Sequence, residues 1–255
     1  MLYPSDLSDI QWEIIKPILP QRKERGFKKK YSDREMINAI LYINKTGCHW
    51  RYLPNDFPAW ESVYGYFRML NDRGIFEKIN SSLREKVRIL EGRDENPSLL
   101  CIDSQSVKGD INLAEKGIDG FKKVKGRKRH IAVDVLGLVV FCFITAANVS
   151  DIHPGRQMIE QMHHEVRLKK VLVDAGYQGL EGDYGNFSVD ISSKKTDQKG
   201  FIPQHKRWVV ERSFSRLNRQ RRLSRDYEYE PENQKAMVYI GMMKIMLNRI
   251  SKKMA

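Results

Sequence analysis

Cysteine is scarce: the 255 residues hold three, Cys48, Cys101 and Cys142. No two stand in a C-x-x-C pair, which argues against a structural zinc site. The odd, sparse count, with no apolar leader after Met1, fits a reducing compartment rather than secretion. Long apolar runs are missing too, and none approaches the roughly 20 residues that cross a bilayer. Repeats are absent, and the low-complexity segments are only short basic loops. The expectation is a cytoplasmic globular protein with no membrane partner, since hydrophobic residues make up 41% and charged ones 30%, too apolar a mixture for disorder.

Acid is what the surface lacks. Lys and Arg number 45 against 32 Asp and Glu, a formal net charge of +13, so the surface attracts polyanions and nucleic acid leads the candidate partners. A merely basic soluble protein would show the same total, so the placement of the charge has to decide.

From Leu7 to about Glu91 the grammar is helical. Ser8 and Asp9 precede Ile10, Trp12, Ile14, Ile15 and Ile18, a stretch closed by Pro20, and a basic loop from Arg22 to Lys30 follows. Ser32 and Glu35 have capping-box spacing ahead of the apolar face Met36, Ile37, Ile40, Leu41 and Ile43, which ends near Gly47. Two prolines, Pro54 and Pro58, make 48–60 a loop, Val63 to Leu70 recur at helical spacing, and a last helix spans about Ile75 to Leu90. These helices form a small all-α domain over 1–92, expected to read DNA, with packing or dimerisation as the alternative role.

Gly92, Asp94, Asn96 and Pro97 mark a boundary. Over 98–255 the runs Leu99 to Ile102, His130 to Val133, Leu138 to Ile144 and Lys170 to Val173 read as strands. Pro154 to Leu168 and Pro203 to Arg222 read as helices with Pro in the first turn. The order is that of an α/β domain.

Asp103 directly follows one strand and Asp174 another, and ligands of α/β sheets bind just outside strand ends. An acid there can equally punctuate a loop. The third acid is Glu211, alone among eight Lys and Arg between Gln198 and Arg225. An ion pair with Arg207 is the bland account. Carboxylates from three separate elements would repel unless cations lay between them, and hard oxygens suit Mg²⁺ or Mn²⁺, two ions of which can support phosphodiester chemistry. Val210, Phe214 and Leu217 make the buried stripe of the Glu211 helix, leaving Arg212, Arg216 and Arg219 as a face for a DNA backbone. Lys122, Lys123, Lys125, Arg127, Lys128 and Arg129 form a second basic run, read as a loop that closes over DNA held at Asp103. Asp134 reads as a turn residue, Asp151 as a helix cap, and His163 and His164 as a solvated face.

The order of these segments resembles the DDE insertion-sequence transposases of the IS-five type. The residues that carry the resemblance begin with Trp12 to Pro17, Asn38 to Tyr42, Thr46 to Arg51, and Pro54, Asp56, Phe57, Pro58 and Trp60. They continue with Ile102 to Lys108, Val124 to His130, Ala147 to Asp151, Asp174 with Gly176 and Tyr177, Val210 to Arg212, and Arg221 to Leu223. The resemblance implies a ribonuclease H-like catalytic domain, a mixed sheet flanked by helices, preceded by the small all-α domain. It also implies binding to the terminal inverted repeats of an insertion sequence and to target DNA, with metal-dependent strand cleavage and strand transfer. Asp103, Asp174 and Glu211 match the family's acidic triad, which implies two Mg²⁺ ions per site with Mn²⁺ as substitute. Two ends must be paired, so a homodimer or larger assembly is expected. Related enzymes show Tyr-x-x-Arg-x-x-x-Glu-x-x-x-x-x-x-Lys, but here Gln204 and Asn218 stand at the Tyr and Lys positions, with Arg216 or Arg219 as the substitute phosphate contact. Arg207, Arg212 and Arg222 complete the expected DNA-binding set. A metal-dependent nuclease and a catalytically silent, transposase-derived regulator are the rival readings.

Overall fold

The structure, a computed structural model, describes residues 3–20, 30–192 and 208–254. Helix α1 (Asp9–Ile15) starts where the Ser8 side chain accepts from the Gln11 amide. Helix α2 (Asp33–Thr46) carries the capping box the sequence announces: the Ser32 hydroxyl accepts from the Glu35 amide while the Glu35 carboxylate accepts from the Ser32 amide. It stops at Gly47, whose φ of +74° suits glycine and where a Cβ would lie 3.2 Å from the Arg221 carbonyl carbon. Helices α3 (Trp60–Asp72) and α4 (Ile75–Leu90) complete the N-terminal region, close to where the periodicity puts them.

The strands are β1 (Leu99–Lys108), β2 (Gly117–Asp119), β3 (Val124–Asp134), β4 (Val139–Ala146), β5 (Lys170–Val173), β6 (Gly182–Asp183) and β7 (Ser188–Ile191). They form one mixed sheet in the order β2-β3-β1-β5-β7-β6, with β4 also on β3. Strands β1, β5 and β7 run parallel, while β3 is antiparallel to β1 and to β4. Helix α5 (Ile152–Met162) covers one face; α6 (Trp208–Leu217), α7 (Arg221–Ser224) and α8 (Pro231–Met254) lie with the other. This is a ribonuclease H-like fold behind an all-helical N-terminal region.

Strand alternation sorts the core into two. Leu100, Ile102, Ala132, Val171 and Val173 pack with Met158, Ile159 and Met162 of α5. Cys101, Ile131, Val133 and Cys142 face the other way, into a core shared with α6, α8 and the N-terminal helices. Helix α8, which the periodicity reading does not include, is the reason the helical region and the sheet share that core: its apolar residues are buried nearly all round, so it shows no single apolar stripe. Two buried polar links reinforce the seam. Arg88 of α4 pairs with Asp134 at the end of β3, and Asn80 donates to the Val139 carbonyl at 2.8 Å. Asp134 is also the turn residue expected, accepting from the amides of Leu136 and Leu138.

The basic run is where sequence and structure part most. From Val124 onward it is strand β3, not a loop, and only Lys122 and Lys123 lie in the turn before it. The expected helix from Pro154 to Leu168 ends at Met162. The helix carrying Glu211 is described from Trp208, so Pro203, Gln204 and Arg207 lie outside the described residues, as does most of the loop from Arg22 to Lys30.

Candidate active site

Strands β1 and β5 are paired with Leu100 beside Val171 and Cys101 beside Leu172. Two residues further along each parallel strand stand Asp103 and Asp174, so the register sets the two carboxylates level on neighbouring strands, about 4.8 Å apart in backbone spacing. Parity puts both on the face of Cys101, the face covered by α6. Asp103 accepts from the Ser104 amide at 2.7 Å, and Asp174 from the Gly176 amide at 3.0 Å, which opens a short 3₁₀ turn.

A third acid joins them that the sequence reading set aside. Asp151 occupies the N-cap position of α5, yet its side chain caps nothing. It faces the turn after β5 instead: a Cβ on Gly176 would lie 3.0 Å from Asp174 Oδ1 and 3.3 Å from Asp151 Oδ2. Glycine there lets the two carboxylates approach one backbone turn. The buried Tyr177 phenol registers the cluster, since burial first, and then the negative charges of Asp151, Asp103 and Asp174, raise its pKa well above 10. Only tertiary structure brings Asp151 here, so its spacing in the chain gave no signal.

Lys128 of β3 answers part of this charge, its Nζ donating to Asp151 Oδ1 and to the Val149 carbonyl, both at 2.9 Å. Behind it His130 is fully buried, with Nε2 3.0 Å from the Thr145 hydroxyl and Nδ1 3.7 Å from Asp151. Burial outweighs the attraction of Asp151 and pushes its pKa down to about 4. The unfolded chain, with His near 6.5, therefore holds the extra proton between those values. Stability is full above about pH 6.5 and falls as pH drops toward 4, by up to about 3 kcal/mol from this residue. Urea unfolding at pH 7 and pH 4.5 should show that His130→Asn removes this part of the acid loss; an equal wild-type-to-variant gap at both pH values would contradict it.

Glu211 sits on the first turn of α6, exposed, while Val210, Phe214 and Leu217 beside it are buried as predicted. Among the described residues no three His, Cys, Asp or Glu side chains are gathered closely enough to hold a metal ion. The structure thus sets Asp103 beside Asp174, and places Glu211 on the helix over the same face without closing it onto them.

The comparisons decide what such a sheet belongs to. A profile of the family described as "Transposase DDE domain" matches residues 94–247, well over half of the chain. The chain belongs to that family. A second profile, described as "Putative transposase of IS4/5 family", matches residues 7–80 of the helical region. A curated relative from Burkholderia cepacia, "Insertion element IS402 uncharacterized 16.2 kDa protein", is 29% identical over 108 residues, 40% of this chain and 72% of the relative. No solved structure matches.

The cations of this DDE transposase divide by burial. Arg127 and Arg129 are 1% exposed, and Lys128 and Arg222 are buried as well, so these four are not the backbone contacts expected of them. Arg127 donates to the Ala114, Glu115, Glu228 and Tyr229 carbonyls and to Asp226 at 3.2 Å. Arg222 pairs with Glu228 at 2.7 Å and reaches the Cys48 carbonyl. Arg129 donates to the Leu223 carbonyl, and burial lowers its pKa to about 10. Alternation along β3 is the reason: a strand covered on both faces has no outward side for a basic run. Lys122, Lys123 and Lys125 remain exposed.

Arg212 and Arg216 lie on α6, and Arg219 two residues beyond its end. Arg216 has its pKa lowered by burial and then by Arg249, Arg212 and Arg219, a cluster of four like charges. Arg249 comes from α8 and is the member the sequence reading missed. Arg212 lies 4.3 Å over the Trp208 ring, which holds it in place. No helix among the described residues is long and apolar enough to cross a membrane.

Proposed function

We propose that this transposase binds the terminal inverted repeats of an insertion sequence and catalyses strand cleavage and strand transfer through Asp103, Asp174 and Glu211. The observation that carries the proposal is the level placement of Asp103 within β1 and Asp174 just past the end of β5, beneath a helix that bears Glu211, Arg212 and Arg216, with Arg219 and Arg249 crowded beside them. The like charges crowded around Arg216 are relieved by a polyanion, and a phosphodiester backbone is one.

The donors fit a divalent ion: all are hard carboxylate oxygens, of the kind Mg²⁺ takes, with Mn²⁺ its substitute. Asp103 and Asp174 would hold two such ions between them, and Glu211 would supply the third carboxylate from α6, where cations would offset the mutual repulsion of the acids. Bound there, the ions would supply activation of an attacking oxygen and stabilisation of the leaving one. Arg212, Arg216, Arg219 and Arg207 orient the backbone so that one phosphodiester faces the acids, and Lys122, Lys123 and Lys125 hold it further along. Lys128 and Tyr177 position Asp151 and Asp174 from behind the site. The helical region grips the repeat, and two copies of the chain pair two ends.

A strand-transfer assay tests this, with labelled element-end DNA, Mg²⁺ or Mn²⁺ and a supercoiled target. Joined product is expected. Cleavage without joining would instead indicate a nuclease, and salt-sensitive binding without reaction a DNA-binding regulator.

A further inference from the structure

An open cleft of about 430 Å³ lies far along the chain from the acids, between the segment 49–52, α3 and the strap 227–229. That volume is in the range of small-ligand clefts, about 300–1,000 Å³. Its walls are aromatic: Trp50, Tyr52, Trp60, Tyr64, Tyr227 and Tyr229. Aromatic clusters normally close into a core, but Tyr52 is 75% and Tyr229 61% exposed. Arg51 is the cation of the lining, 5.2 Å over the Trp60 ring, and the exposed Arg225 stands beside it, 5.9 Å from the Tyr227 ring; Glu228, the acid of the lining, is paired with the buried Arg222. Trp50 Nε1 is buried with no hydrogen-bond partner among the described residues, so the lining holds a donor not matched within it.

The cleft is built rather than left over. Arg127 holds the strap by the Glu228 and Tyr229 carbonyls, and Arg222 fixes it through Glu228. Arg225 connects it to a second groove of about 380 Å³ that Lys108, Lys116, Lys123 and Lys125 also line. Asp110 is the acid in that lining. A lysine-lined track leading into an aromatic cleft matches one polymer: phosphates along the track, a flat base between the rings.

We propose that the cleft receives a single unpaired nucleobase of the bound DNA, whose backbone runs through the lysine groove. This rests on the DNA-binding reading above. An acidic peptide would suit the lysines but has no use for a cluster of exposed rings at the end of the track, and a free small ligand would not need the track.

The test is competition binding in chelator, so that no reaction intervenes, between a fully paired duplex and the same duplex carrying one unpaired base. Wild type should prefer the second by about tenfold or more. In Tyr52→Ala/Tyr229→Ala, which alters two exposed side chains, that preference should shrink to about twofold or less while paired-duplex affinity holds. Arg225→Ala should weaken both duplexes. Equal binding of the two duplexes by wild type would overturn the cleft proposal alone, as would a preference that survives in the double variant or an equal loss of both duplexes in it. Failure to bind either duplex would overturn the DNA-binding reading as well.

Discussion

Asp103→Asn is expected to lower strand cleavage and joining by about 10³-fold or more while leaving affinity for end DNA within a few-fold. The amide keeps the shape of the side chain and one oxygen able to accept from the Ser104 amide, so the strand should fold as before. What it loses is the charge that holds a divalent ion, worth several kcal/mol at a phosphoryl transition state. Asp174→Asn should behave alike, because the register of β1 and β5 sets Asp103 level with Asp174, the first residue past β5. Single-turnover cleavage beside filter binding separates the effects. Intact cleavage by either variant, or a matching loss of binding, would contradict the assignment.

The largest effect on stability is expected at Arg127. Arg127→Met should cost about 3–5 kcal/mol, a large share of the 5–15 kcal/mol that holds a typical domain together. The guanidinium is the common partner of the 114–115 loop, Asp226 and the 228–229 strap. Removing it leaves the Asp226 carboxylate, fully buried and with its pKa already raised by burial, without its ion-pair partner. Lys125→Met, two residues earlier and exposed, should leave stability nearly unchanged and weaken DNA binding instead. Thermal unfolding and salt-dependent binding of the pair distinguish the two roles. A stable Arg127→Met with selectively poor DNA binding would contradict the internal role of the buried arginine.

That contrast shows what was legible in the sequence. Local signals read well: the Ser32 and Glu35 cap, the Gly47 stop and the helix from Ile75 to Leu90 depend on neighbours within a few residues. So did the strand-end position of Asp174, because an apolar run followed by an acid is written in consecutive residues, whereas Asp103, expected at a strand end, lies in the middle of β1, which runs on through polar residues to Lys108. Burial of charge did not read. Nothing within Lys122 to Arg129 tells that carbonyls of residues a hundred positions away will surround Arg127, or that Asp151 will turn from helix capping to face Asp174. Helix α8 escaped for the opposite reason: buried on nearly every side, it lacks the single apolar stripe that marks a surface helix, and with it went Arg249.

The central claim is that Asp103, Asp174 and Glu211 act on DNA as one metal-holding set, and Mn²⁺ binding tests it most directly. Electron paramagnetic resonance of Mn²⁺ with the protein and element-end DNA should show two tightly bound ions per chain in wild type. Asp103→Asn, Asp174→Asn and Glu211→Gln should each lose at least one of them. Wild-type Mn²⁺ occupancy and wild-type joining in Glu211→Gln would contradict the claim.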